Sequence, residues 1–210
     1  MRWNVDPLPP RFCPGARVAV AWAGTDAVVI RKPAGLLSVP GRGPERADCV
    51  ETQVRELFPH ASHVAAVHRL DLETSGLLLI ALDRAALIRL SAAFEARTVH
   101  KRYEAILMDD LPAPAGIIDA PIGPAVRPRF AVVAGGRPAV TRWSRLGPCR
   151  AAFAPETGRT HQLRLHARHL VAPIRGDSLY GDPGSADRLL LHATELAAPG
   201  IPLVRWEAEF

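Results

Sequence analysis

The sequence predicts an α+β fold, a mixed and mainly antiparallel sheet with flanking helices. Three observations predict it. Strand-like runs follow one another and are broken by only a few segments of helical periodicity. Twenty prolines and sixteen glycines supply many turns. A chain of 210 residues, 48% hydrophobic and 22% charged, has the size and composition of one domain with a core of its own.

Residues 1–16 read as an irregular, proline-rich lead-in, and 17–210 as the domain. VAVAWA (17–22) and AVVIR (27–31) read as two strands across a short turn with Gly24 and Asp26. A long glycine/proline loop covers 32–48. Asp48 is expected to cap a helix over 49–58, with Val50, Val54 and Leu57 on one face and Pro59 ending it. The apolar run 77–82 reads as a strand covered on both faces. Asp83 is expected to cap a second helix whose buried stripe is Leu87, Leu90 and Phe94. Residues 103–108 read as a strand. Residues 129–146 read as a hairpin around Gly135 and Gly136. A strand is expected over 149–155. Thr160 is expected to cap a third helix over 161–170, with Leu163, Ala167 and Leu170 inward. Residues 187–196 fit a short helix or a strand, and 202–210 alternate as a final strand.

Composition excludes several function classes. Cys13, Cys49 and Cys149 are far apart, odd in number and without a C-x-x-C. That argues against a disulfide framework or a cysteine zinc site and fits a reducing cytosol. MRWNVDPLPPRFCPG has no apolar core for a signal peptide, and the run 77–82 is too short to span a bilayer. No glycine-rich phosphate fingerprint occurs, so a nucleotide cofactor has no support. The net charge of +5 and pI near 9.7 favour a polyanionic partner, RNA or DNA. Of the basic residues 24 are arginine and two are lysine, Lys32 and Lys101, so a position that kept lysine stands out.

Four stretches concentrate chemically capable side chains: RKPAGL (31–36), HRLDLETSG (68–76), HKRYEA (100–105), and ETGRTHQLR (156–164) with GDSLYG (176–181). Asp71 precedes a strand expected to be buried, so its backbone should be rigid. A rigid carboxylate can serve as nucleophile or general base when a cation keeps it ionised and aimed. Arg69, two residues away on an extended backbone, and Arg164, on a helix, are candidate partners. Taken alone, the segment favours a turn in which Asp71 and Glu73 cap the backbone and Arg69 is solvated. Glu73 is expected at solvent or capping the backbone. Ser75 lies in no nucleophile elbow. His166 and His169 can share a helix face, but His161 lies about 140° round it, so the three do not converge on zinc. They are expected to face solvent or RNA, and His60 and His63 to be surface residues. Arg127, Arg129, Arg137 and Arg142 cluster on the expected 129–146 hairpin, which suits either a nucleic-acid groove or a solvated surface.

Together these stretches resemble the RluA family of pseudouridine synthases. HRLDLETSG resembles its H-R-L-D-x-x-T-S-G signature, RKPAGL its N-K-P-A/S-G-L segment, and KRYEAIL its K-x-Y-x-A strand. ETGRTHQLRLH and PIRGDSLYG resemble its T-G-R-T/S-H-Q-L-R and P-I-x-G-D-x-x-Y-G stretches, all in the family's order. Both lysines fall inside matched motifs. The resemblance implies a pseudouridine synthase catalytic domain with a basic RNA-binding cleft. It implies isomerisation of uridine in structured RNA: a large-subunit ribosomal RNA hairpin, a transfer RNA anticodon stem-loop, or both. It implies Asp71 as the residue that attacks the target nucleotide, Tyr103 packing on the flipped uracil, and Arg164 paired with the aspartate. Arg69 is implied to hold the RNA open. Lys32, Lys101, Arg159, His161, Arg129 and Arg137 are expected RNA contacts. The chemistry is redox-neutral, so no cofactor and no metal are expected, and the chain is expected to be a cytoplasmic monomer with no membrane partner. Departures from the family pattern fall at Arg31, at 171–174 and at the C-terminal tail, where they bear on RNA choice.

Two rival readings keep the same residues. An RNA-binding protein of this fold without catalysis would bind and not turn over. A nucleosidase or glycosylase would release free uracil. A zinc hydrolase is the most distant alternative.

Overall fold

A strand can be buried on both faces where strongly apolar residues run without a break, and 77–82 is the longest strongly apolar run in the sequence. The computed structural model describes residues 15–210, so the expected lead-in over 1–16 lies almost wholly outside the described residues. In chain order the elements are β1 (Ala19–Ala23), β2 (Ala27–Lys32), α1 (Val50–Leu57), β3 (Ala65–Ala66), β4 (Ser75–Ala81), α2 (Arg84–Glu95), β5 (His100–Ile106), β6 (Ala115–Asp119), β7 (Ile122–Pro124), β8 (Phe130–Val132), β9 (Val140–Gly147), β10 (Arg150–Pro155), α3 (Gln162–Leu170), β11 (Leu191–Ala198) and β12 (Ile201–Arg205). The chain divides into two compact units, residues up to Val99 with Leu196–Trp206, and His100–Glu195 with Glu207–Phe210. The α+β class holds in both, and the strand pairs in each are antiparallel.

In the first unit β4 is buried along its whole length, flanked by β2 on one side and by the short β3 on the other. β1 pairs the far edge of β2. α2 lays Ala86, Leu90 and Ala93 on a core made with Val29, Leu77, Leu79 and Ile201. Leu87 and Phe94 pack against the same core half-buried. Asp83 caps α2 as expected, its Oδ1 accepting from Ala86 N at 2.7 Å. Asp48 does not cap α1. The N-cap position is Cys49, and the Asp48 carboxylate instead accepts from Gly15 N at 2.7 Å and Gln53 Nε2 at 2.8 Å. Leu57 is exposed, because only Val50, Gln53 and Val54 of α1 face the interior.

In the second unit β10 lies between β5 and β9, with β6 on the outer side of β9. The expected hairpin over 129–146 does not form. β8 pairs with β7 in a separate two-stranded ribbon, whereas β9 pairs with β10 and β6. Gly136 lets the connecting segment press against the backbone of Ile122, where a Cβ would stand 2.7 Å from its carbonyl carbon. Thr160 does not cap α3. The N-cap residue is His161, held in the left-handed region at φ 56°. The Gln162 side chain closes that turn instead, its Oε1 accepting from Arg159 N and Thr157 Oγ1. Leu163 and Ala167 point inward as expected, while Leu170 is half-buried. Residues 191–198 are strand, and the final strand stops at Arg205, after which the Trp206 ring lies 5.6 Å from the Arg31 guanidinium. Among the described residues no helix is long and apolar enough to cross a membrane.

Candidate active site

The first unit fixes one loop with unusual thoroughness. Leu70 exchanges hydrogen bonds with Ser38, its N–H donating to Oγ at 3.1 Å and its carbonyl accepting from Oγ at 2.8 Å. Gly35 N donates to Leu72 O, and Thr74 N donates to Asp71 O. His68 lends its Nε2 to Leu79 N of β4 and stacks on Phe94. Every peptide flanking Asp71 is therefore tied to β4, to the 33–38 loop or to the turn itself. Asp71 sits half-buried in this frame, and Arg69 is exposed.

Lys32 completes the frame. It was an expected RNA contact, and its position corrects that. The side chain is fully buried, and Nζ donates to Pro33 O (3.0 Å), Leu72 O (3.1 Å) and Thr74 O (2.8 Å). An ammonium has three N–H bonds, and all three are used on backbone carbonyls. Burial pushes the Lys32 pKa down from 10.5 to about 7, and the negative charge of Asp71 partly opposes that. Lys32 thus holds the carbonyls of Leu72 and Thr74, in the turn that follows Asp71. Glu73, expected at solvent or capping the backbone, is buried, so the solvent-facing alternative does not hold.

The second unit gathers its functional candidates around α3. Arg164 is 2% exposed, and two of its nitrogens grip Asp177, Nε to Oδ2 at 2.9 Å and a terminal nitrogen to Oδ1 at 2.5 Å. Asp177 also accepts from Leu179 N and Tyr180 N, both at 2.9 Å. Burial alone would raise the Asp177 pKa; the Arg164 hydrogen bonds and charge, with those backbone donors, outweigh it and hold the carboxyl below its ordinary value. Gly176 makes this turn possible. Its φ is +71°, and a Cβ there would collide with the Arg188 carbonyl oxygen. Tyr180 OH accepts from Phe130 N at 3.0 Å and meets His161 Nδ1 at 2.6 Å. Tyr103 is buried on β5, paired in register with Phe153. Lys101, on the same strand, is half-buried.

The other expected RNA contacts are placed variously. Arg129 and Arg137 are exposed, on or beside the β7–β8 ribbon. Arg159 is half-buried with Nε on Pro138 O. Arg142 is paired with Glu156 at 2.6 Å. His166 is not at solvent or at an RNA face. It is fully buried between Thr141 Oγ1 and Ala120 O, and burial lowers its pKa. His169 is exposed, as are His60 and His63. Among the described residues no three histidine, cysteine or carboxylate side chains gather as a metal site requires.

The sequence profile of the RNA pseudouridylate synthase family matches residues 26–169, which include Asp71, Tyr103 and Arg164. The chain belongs to that family. It is 40% identical to the dual-specificity RNA pseudouridine synthase RluA of Yersinia pestis over 199 residues, covering 87% of this chain and 95% of that protein. It is 40% identical to the protein of the same name from Escherichia coli K12 over 181 residues, covering 80% and 81%. Among solved structures, human RNA pseudouridylate synthase domain containing 1 superposes with a TM-score of 0.76 at 26% identity, covering 95% of this chain and 86% of that one. Human RNA pseudouridylate synthase domain containing 4 superposes with a TM-score of 0.71 at 25% identity, covering 90% and 88%.

Two residues of this synthase escaped the sequence reading. Asp177 lies in the GDSLYG motif, where the sequence names no partner for it. The available signal was the need of a helix-borne arginine such as Arg164, if buried, for a counter-charge. Tyr180, from the same motif, ties α3 to the ribbon through His161 and Phe130.

Proposed function

We propose that this pseudouridine synthase isomerises specific uridines in structured RNA, a large-subunit ribosomal RNA hairpin, a transfer RNA anticodon stem-loop or both, with Asp71 as the nucleophile. The observation that carries the reading is the frame around Asp71. A half-buried carboxylate whose flanking peptides are all tied down is built to meet a reacting atom repeatably, which is what positioning contributes to catalysis. Tyr103 and Arg164 complete the catalytic set, and Arg69, exposed beside Asp71, faces the RNA.

The reaction asks little else of the protein. The N-glycosidic bond of uridine breaks, the base turns, and its C5 bonds to the same anomeric carbon. N1, released from the sugar, takes up a proton and C5 gives one up, so the proton count is unchanged, Asp71 is released unchanged, and no electrons are gained or lost. The target must leave the stack, at a cost of a few kcal/mol that is least in a loop. An aromatic ring stacked on the base offsets about 1–3 kcal/mol of that, the role proposed for Tyr103. The chain acts in the cytosol as a monomer, with RNA as its partner.

The test is site-resolved pseudouridine mapping on transfer RNA and on a ribosomal RNA hairpin library, wild type beside Asp71→Asn. Product from the wild type that falls by about three orders of magnitude or more in the variant, the scale of losing a nucleophile, supports the reading. Tight RNA binding with no product on any RNA replaces it with a non-catalytic RNA binder. Free uracil in the reaction replaces it with a glycosylase.

A further inference from the structure

A second feature lies beside α3. Between the helix, Tyr180 and the segment 125–132 that leads into β8 is an open hollow of about 500 Å³. Its walls include Phe130, Val132 and Leu165, and its rim Arg129, Arg168 and His169. The volume falls within the ~300–1,000 Å³ of clefts that hold small ligands. Leu165 is buried, whereas Phe130 and Val132 are half-buried and so present apolar surface to the opening.

The charge around it is one-sided. Residues 120–176 contain ten arginines and a single carboxylate, Glu156. Arg142 occupies that carboxylate. Arg164 has Asp177, Arg145 has Asp110 and Arg150 has Glu104. Arg129 and Arg168, on the rim, have no carboxylate partner among the described residues. Two such arginines and a histidine around an apolar, aromatic-walled hollow complement a group that is flat and apolar at one end and anionic at the other. A nucleotide has that form: base stacking is sequence-tolerant on an aromatic face, and arginine takes the phosphate.

We propose that this pocket holds one unpaired nucleotide of the substrate RNA, distinct from the uridine that reacts. Phe130 stacks on its base, and Arg129 and Arg168 take its 5′ or 3′ phosphate. The proposal rests on the reading of the chain as an RNA-modifying enzyme, and it adds a site that fixes where along the RNA the enzyme docks.

Binding of labelled, unmodified transfer RNA transcript across a salt series tests it. Arg168→Gln should weaken binding about tenfold and reduce the slope of log affinity against log salt by about one, as expected for one lost phosphate contact. Phe130→Leu should weaken binding about tenfold and leave the slope unchanged, because stacking releases no counterion. Phe130→Tyr keeps the ring and should bind as the wild type, and Arg84→Gln, on an exposed turn of α2, should change nothing. Thermal melts show whether each variant is folded. A photo-crosslinking residue at Val126, exposed and on the same wall, should trap one nucleotide that is not the modified one. If Phe130→Leu is silent while Arg168→Gln is not, the pocket takes a phosphate alone and the nucleotide assignment falls. If both bind as the wild type while the wild type makes pseudouridine, the pocket is overturned and the enzymatic reading stands. If the wild type makes no pseudouridine yet these binding losses appear, the pocket stands and the enzymatic reading falls.

Discussion

Arg164 and Asp177 form an ion pair with side chains only 2% and 0% exposed. Desolvating two charges is costly, so such a pair is held by its geometry and by the remaining hydrogen bonds, here the backbone donors of Leu179 and Tyr180. Removing one partner leaves the other charge buried. Asp177→Ala is therefore expected to lose about 3–5 kcal/mol of stability, measured by urea unfolding at neutral pH. The pair also sets an acid limit. The folded pKa of Asp177 lies below its ordinary 3.8, so the unfolded chain takes up its proton first as pH falls. Its contribution is complete above about pH 4 and is lost as pH drops below that toward the folded pKa. Repeating the unfolding series from pH 6 to pH 3 should show a steeper loss in the wild type than in Asp177→Asn. Equal slopes would remove this pair from the account of acid stability.

Lys32 offers a direct measurement, because the chain has only one other lysine. With the ε-carbons isotopically labelled, NMR should show two lysine signals, one titrating with a midpoint near 7, as burial requires. In Asp71→Asn that midpoint should move lower, because the Asp71 charge raises the Lys32 pKa. Stability follows the same sign. Between about pH 7 and 10.5 the unfolded chain holds a proton that the folded Lys32 has lost, so this group makes stability rise with pH across that window. Lys32→Met removes the rise, takes the side-chain donor from Thr74 O and leaves Leu72 O with Gly35 N alone, so the Asp71 turn should loosen. The predicted signature is a loss of turnover larger than any loss of RNA affinity. Two lysine signals both titrating near 10 would refute the buried, desolvated state.

What was legible in the sequence was legible for physical reasons. The unbroken run 77–82 is too short for a typical helix and suits a strand covered on both faces, and β4 is that strand. Asp83 caps α2 because nothing nearby competes for its carboxylate, whereas Asp48 is drawn to the Gln53 side-chain amide and the Gly15 N–H, donors that a local pattern does not display. The hairpin over 129–146 failed because two glycines specify a turn but not which strand pairs beyond it. The partner of β8 is β7, earlier in the chain. The motif residues were found by resemblance, yet their environments were not. Burial decided that Lys32 serves backbone carbonyls and that His166 bridges Thr141 and Ala120, and burial depends on the whole fold.

Tyr180 shows how that dependence can be measured. Its hydroxyl accepts the Phe130 N–H at 3.0 Å and lies within hydrogen-bond reach of His161 Nδ1 at 2.6 Å. One phenol thereby joins the N-terminus of α3 to the first residue of β8. Tyr180→Phe removes both hydrogen bonds without opening a cavity. The expected cost is about 1–3 kcal/mol, the penalty for leaving buried polar groups unsatisfied. The loss should be local. In hydrogen exchange the Phe130 amide should become much faster, while amides of β4, in the other unit, should keep their wild-type protection. Loosening of the ribbon should also weaken RNA binding at unchanged stability of the Asp71 turn. Unaltered exchange at Phe130 would mean that the ribbon is held by its pairing with β7 alone.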